Sequence, residues 1–192
     1  MIKVVDNVLG KNALIQLGKM LEDTNFPWYW QSDTNFGVAQ SNDITKTGFR
    51  HCFIREDKSL SDYSVAVMPI VCAMADAAES TIVSIFSVHA NLLLNHNKEM
   101  ALQPHVDIAE SYTEKGMPKY MTGIFYLDTV DGDTVFFDSD RKTAIQNVSP
   151  IANRMVIFDA TTFHSASSPM TGLRRRVINV NVLVKTDNKE IA

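Results

Sequence analysis

The rhythm of apolar and polar positions changes near residue 80. Before it, residues 11–22 (KNALIQLGKMLE) place Leu14, Leu17, Met20 and Leu21 at helical spacing, which predicts a short amphipathic helix. Residues 62–79 (DYSVAVMPIVCAMADAAE) are rich in Ala and Met and predict a second helix. Pro69 should kink that helix or open a new first turn, because proline lacks the backbone N–H. Between the two lie Trp28, Tyr29 and Trp30, then a predicted strand over 49–55. The aromatic trio could line an entrance to a site, although buried anchoring is the commoner use of such rings.

After residue 80 the pattern alternates and β-branched residues accumulate. It predicts strands over 82–95, 120–127, 134–137, 154–158 and 177–185. Turn signals separate them: Lys115-Gly116 with Pro118, Asp131-Gly132-Asp133, Ser149-Pro150 and Thr171-Gly172. Several short strands without helical periodicity between them predict a mainly β (α+β) protein, a sandwich or barrel with the N-terminal helices packed on one outer face. A length of 192 residues fits a single domain, 1–192, divided into a mostly helical and loop part (1–80) and a β-core (81–186).

Composition narrows the function classes. Net charge is −4 and no basic run exceeds Arg174-Arg175-Arg176, so neither a nucleic-acid stripe nor a membrane-surface patch is expected. Cys52 and Cys72 are far apart and have no CxxC partner, which points to reduced thiols rather than a disulfide framework. The first residues lack an apolar signal core and no stretch has membrane-span length, so a cytoplasmic protein is expected. Oligomeric state is not written in the sequence.

Three residues stand out chemically: His105, Asp107 and His164. In an extended segment, residues two apart project to the same side, so His105 and Asp107 can converge on one ion. His164 follows the apolar strand Met155-Val156-Ile157-Phe158, which would deliver it to a barrel mouth. Two imidazoles and one carboxylate on one face of an octahedron leave three positions open, a set suited to non-haem Fe(II). An HxD triplet alone is common, and a lone His after a strand is more often structural. A fourth element adds weight. Thr171-Gly172-Leu173-Arg174-Arg175-Arg176 opens the last strand shortly after His164, and a guanidinium pairs bidentately with a carboxylate.

The ordered motifs resemble those of the 2-oxoglutarate/Fe(II)-dependent dioxygenase superfamily, especially its prolyl-4-hydroxylase-like branch and related phage-encoded oxygenases. Pro104-His105-Val106-Asp107 resembles the first metal motif. Residues 122–128 (TGIFYLD) resemble a T-x-x-x-Y-L-N strand, residues 132–137 (GDTVFF) a G-G-x-T-x-F turn and strand, and residues 153–159 (NRMVIFD) with His164 a G-R-x-x-x-F strand and distal histidine. The likeness covers roughly residues 80–185. Two departures fall in loops: Asn153 and Asp133 stand where glycines are common.

The resemblance implies a double-stranded β-helix (jelly roll). It further implies that His105, Asp107 and His164 hold Fe(II) and that 2-oxoglutarate chelates the metal. O2 would be the oxidant, with ascorbate a further expected cofactor. Tyr126 falls where the family often places a tyrosine against the distal carboxylate, and Asn91 resembles an asparagine that touches 2-oxoglutarate in some branches. Spacing from His164 allows Arg174 or Arg175 as the carboxylate anchor. Arg175, Val177, Asn179 and Asn181 share one strand face and Arg174, Arg176, Ile178, Val180 and Val182 the other. A semi-polar site suits the first face, which favours Arg175.

The implied reaction hydroxylates a C–H bond of an unidentified peptide or small molecule and releases succinate and CO2. The alternatives are a non-catalytic, cupin-like metal-binding jelly roll and a zinc hydrolase, which would need a general base that no Glu beside His105 or His164 supplies. A Ser hydrolase would need a GxSxG elbow, which is absent. His51 and His96 read as surface residues, and His89 shares a strand face with Asn91. Residues 24–60 and 109–119 read as loops that carry specificity.

Overall fold

Strand pairing organises the chain. A computed structural model describes residues 1–32, 47–97, 103–109, 114 and 116–186; the remainder of the two expected specificity loops lies outside the described residues. Eleven strands and two helices are present among the described residues. The strands are β1 (Ile2–Val5), β2 (Tyr29–Gln31), β3 (Gly48–Arg55), β4 (Lys58–Ser59), β5 (Ser80–Leu94) and β6 (Lys119–Tyr126). They continue with β7 (Thr134–Phe137), β8 (Ala144–Val148), β9 (Arg154–Asp159), β10 (His164–Ala166) and β11 (Arg174–Thr186). The helices are α1 (Lys11–Glu22) and α2 (Ser64–Ala77).

The large sheet runs β1-β9-β6-β11-β5-β3-β2, with β4 paired to β3, and the small sheet runs β10-β7-β8. All the pairings are antiparallel. Period-2 alternation gives the central strands two buried faces. On β6, β9 and β11, Ile124, Tyr126, Val156, Phe158 and Val177 pack with Phe136 and Val148 of the small sheet. Their alternates Met121, Phe125, Met155, Ile157, Ile178 and Val180 join Leu17 and Leu21 of α1 and Val67, Ile70, Val71 and Met74 of α2. This is a jelly roll with its helices on one outer face, as expected. Gly123 lies under α2, where an added Cβ would come 2.7 Å from Met74 Sδ.

The first 80 residues contribute more strand than their texture suggests. β1 pairs along β9 and β3 along β5, so the N-terminal part extends the large sheet as well as covering it. Pro69 opens no new first turn; it lies inside the continuous helix α2. Of the aromatic trio, Trp28 is half-buried, with its Nε1 donating to Leu21 O at 3.2 Å. Tyr29 and Trp30 are 60% and 53% exposed, not core anchors. His51 is a correction: it is buried, with Nδ1 at 2.8 Å from Pro27 O and Nε2 at 2.7 Å from Ser61 Oγ. His96 is half-buried rather than exposed.

Asn153 explains its own departure from the glycine pattern. Its φ of 68° lies in the left-handed region, which asparagine tolerates better than most residues. Its side chain accepts from Leu9 N at 2.8 Å and donates to Leu9 O at 2.8 Å, clamping the segment after β1.

Candidate metal centre and adjoining cavity

The backbone brings the two candidate histidines together before any side chain acts. His105 and His164 form an isolated antiparallel bridge, each N–H donating to the other's carbonyl at 2.9 Å. Asp107 N donates to Ala160 O at 3.2 Å, which keeps the segment extended. His105 and Asp107 therefore face the same side, as their spacing requires.

The side chains then converge. Asp107 Oδ1 lies 3.8 Å from His105 Nε2 and 3.8 Å from His164 Nε2. One ligand atom from each of the three lies within 4.8 Å of the others. Each Nδ1 sits against a backbone carbonyl, Gln103 O at 3.1 Å and Thr162 O at 3.0 Å. A carbonyl only accepts, so both Nδ1 atoms carry the proton and both Nε2 lone pairs are turned to the shared point. Burial pushes the His164 imidazole below its usual value, partly opposed by the Asp107 carboxylate, and so favours the neutral form a metal requires. A pair of imidazoles and one carboxylate fits a divalent iron with open positions.

The strand bearing the three arginines separates them. Arg174 lies on the outer face, with Nη2 at 2.6 Å from Glu22 Oε1. Arg176 shares that face but is buried, donating through Nε and Nη2 to the Asp128 carboxylate at 3.1 and 2.7 Å. Arg175 points inward and is 3% exposed. Its Nη2 donates to Thr134 Oγ1 at 3.0 Å, and its Cζ stands 5.5 Å from the Tyr126 ring centre. Tyr126 donates to the same Thr134 Oγ1 at 2.8 Å. Burial lowers the Arg175 pKa and raises that of Tyr126. Among the described residues Arg175 makes no ion pair, and its buried Nε has no hydrogen-bond partner. A buried cation in that state is costly unless an anion joins it, so the donor set fits the carboxylate of a dicarboxylate.

Asn179, on the same face as Arg175, also has a buried, unpartnered Oδ1. Its place in the strand alternation, on the Arg175 face, is the signal that marks it. Asn91 stands further round the interior and accepts from Arg50 Nε at 3.2 Å.

A cavity of about 360 Å³ adjoins the triad, with His105, Asp107, Arg50, His89, Phe86 and Asn181 among its lining residues. Arg50 of β3 is the side chain that sequence reasoning missed here; its Nη2 lies 2.6 Å from His89 Nε2. Burial lowers the Arg50 pKa to about 10, so it remains a cation at neutral pH. Burial, then the charge of Arg50, holds His89 well below the usual imidazole range, so it accepts that hydrogen bond as the neutral form.

Comparison with known proteins follows the same line. Residues 91–183 match the family model described as 2OG-Fe(II) oxygenase superfamily. An oxidoreductase of the 2OG-Fe(II) oxygenase family from Burkholderia pseudomallei superposes with a TM-score of 0.67 at 10% identity, covering 96% of this chain and 85% of that one. A Trichoplax adhaerens prolyl hydroxylase in complex with a peptide fragment gives 0.63 at 12% identity, covering 94% and 83%. A Pseudomonas putida prolyl-4-hydroxylase gives 0.61 at 13% identity, covering 95% and 92%. At these identities the likeness is one of fold. No curated protein sequence matches the chain.

Proposed function

The chain belongs to the 2OG-Fe(II) oxygenase superfamily, and from that membership we propose that His105, Asp107 and His164 hold Fe(II) in an enzyme that hydroxylates a C–H bond of a substrate seated in the adjoining cavity. The observation that carries the assignment is the convergence of both Nε2 atoms on a single Asp107 oxygen. With Fe(II), 2-oxoglutarate and O2 present, the chemistry supplied is 2-oxoglutarate + O2 + R–H → succinate + CO2 + R–OH. Ascorbate would serve to keep the iron reduced.

The protein's own share is binding, orientation and exclusion of water. Arg175 takes the distal carboxylate of 2-oxoglutarate, with Tyr126 and Thr134 beside it. The outward, ion-paired placement of Arg174 argues for Arg175 as the anchor. Asn91 acts by holding Arg50 in the cavity wall. The cavity lies at the small end of ligand pockets and suits a small molecule or a single residue of a peptide. The fold of the two prolyl hydroxylases supports a peptidyl substrate as one member of that range. The buried Arg175 favours this reading over a cupin-like metal binder, which has no need of a carboxylate anchor.

We further take residues 1–192 to act as one oxygenase domain. Among the described residues no helix is long and apolar enough to cross a membrane. Cys52 and Cys72 are both free thiols, which suits a reducing cytoplasmic setting. Anaerobic titration with Fe(II) and then 2-oxoglutarate tests the function. A visible charge-transfer band should appear only when both are present, and succinate should form once O2 is admitted. Absence of the band would overturn the assignment.

A further inference from the structure

Asp107 must do more than reach the metal. A carboxylate that binds through both oxygens would occupy two positions and leave too few for a chelating co-substrate together with O2. Its second oxygen therefore needs another partner, and one is built into the large sheet. Thr122 Oγ1 lies 3.0 Å from Asp107 Oδ2, the oxygen turned away from the histidines, and 2.7 Å from Asn181 Oδ1. Asn181 Nδ2 lies 3.2 Å from Ser87 Oγ. Thr122, Asn181 and Ser87 are register partners on three adjacent strands: Asn181 pairs with Thr122 across β11 and β6, and with Ser87 across β11 and β5. All three are buried, Thr122 completely.

We propose that Thr122, Asn181 and Ser87 form a cross-strand relay that fixes Asp107 as a one-oxygen metal ligand, Oδ1 free for the ion and Oδ2 held. Proton counting gives the relay a direction. The Thr122 hydroxyl has one proton, and a carboxylate can only accept, so that proton goes to Asp107. Thr122 Oγ1 is then left as an acceptor. The two ends of the Asn181 amide are nearly isosteric, and exchanging them lets its NH2 donate to Thr122 and its oxygen accept from the Ser87 hydroxyl. Every donor in the row then points toward the carboxylate. Three neutral dipoles so aligned hold the anion without neutralising it, which a lysine or arginine in the same place would do. Ser87 and Asn181 also line the cavity, so the relay runs from the cavity wall to the metal ligand.

The inference rests on the assignment of Asp107 as a ligand, and one experiment separates the two. Fe(II) and, separately, Mn(II) are titrated calorimetrically into the metal-free protein under anaerobic conditions without 2-oxoglutarate. Thr122→Val keeps the shape and removes the hydroxyl; it should weaken both metals roughly 10- to 100-fold, the usual cost of losing a group that orients a ligand. Thr122→Ser should restore most of that loss, which a merely space-filling role would not allow. Metal-free Thr122→Val should melt below the parent because two buried hydrogen bonds are lost, and Thr122→Ser should recover most of that too. Affinities are therefore compared at a temperature where every metal-free variant is folded. If Val at 122 prevents folding, Ser87→Ala, at the far end of the row, should give a smaller but measurable loss. Unchanged affinity in whichever variant folds overturns the relay, provided His105→Ala has lost binding. Undiminished binding in His105→Ala would instead sink the metal assignment itself.

Discussion

Arg175→Met offers a test in which function and stability should move in opposite directions. The guanidinium is buried, unpaired among the described residues, and donates one hydrogen bond, to Thr134. Thr134 Oγ1 keeps the Tyr126 hydroxyl as a donor when that bond is lost, so no acceptor is stranded. Removing a buried, uncompensated charge relieves a desolvation penalty of several kcal/mol, which offsets the lost bond. The metal-free variant should therefore be no less stable than the parent. Binding of 2-oxoglutarate should suffer heavily. Hydrogen bonds to charged groups contribute about 1.5–3 kcal/mol, so losing the anchor predicts about 3 kcal/mol, a weakening of roughly 100-fold. Fe(II) affinity without 2-oxoglutarate should be unchanged. Arg174→Met is the control: its pair with Glu22 joins side chains that are 37% and 52% exposed, worth about 1 kcal/mol of stability at most. That variant should leave co-substrate affinity alone. Calorimetric titration of 2-oxoglutarate into the Fe(II)-loaded protein, with urea unfolding of the metal-free form, reads both effects. Equal losses of co-substrate affinity at 174 and 175, or a large destabilisation from Arg175→Met, would refute the reasoning.

The remaining expectations address the triad, the buried histidines and the N-terminal clamp. His105→Ala and Asp107→Ala should each abolish conversion of 2-oxoglutarate to succinate in the absence of substrate, and persistent succinate in either would contradict their role. Burial holds the pKa values of His89 and His164 below that of a free imidazole, so an unfolded chain takes up protons there that the folded one refuses. The stability of the metal-free protein is therefore greatest above about pH 6.5 and declines as the pH falls below it. The decline is at most about 1.4 kcal/mol per pH unit from His89, which is held furthest down, and less from His164. His89→Gln, which keeps an acceptor for Arg50, should flatten that decline in urea unfolding between about pH 6.5 and 5.5; an unaltered slope would show that His89 is protonated in the fold. Asn153→Ala should cost about 2–4 kcal/mol from left-handed strain and two lost hydrogen bonds, and Asn153→Gly about half as much because it escapes the strain. A glycine variant as unstable as the alanine one would remove strain from the account.

Local chemistry made part of this molecule readable. α1 spans the residues that its apolar spacing predicts, and the two-residue step from His105 to Asp107 places both on one side. Alternation along β11 also separated Arg175 from its neighbours. The pairing register was not readable, because it depends on partners far away in the chain. Thr122, Asn181 and Ser87 matter through adjacency across three strands, and Arg50 through the position of β3 beside β5. A signal did exist for some of them. Asn179 and Asn181 interrupt a β-branched strand on the Arg175 face, and polar residues inside a sandwich need partners. His51 alternates with Phe49 and Phe53, which foretold burial on the helix side had the period been followed through.

Three successive guanidinium groups divide their labour across the thickness of one sheet. Arg174 and Arg176 moor the start of β11 to Glu22 at the end of α1, while Arg175 reaches the other way, into the barrel. Arg176, held by Asp128 as well as by Glu22, keeps that strand end in place when the Arg174 pair is cut, so the seat for the carboxylate outlasts the loss of one mooring.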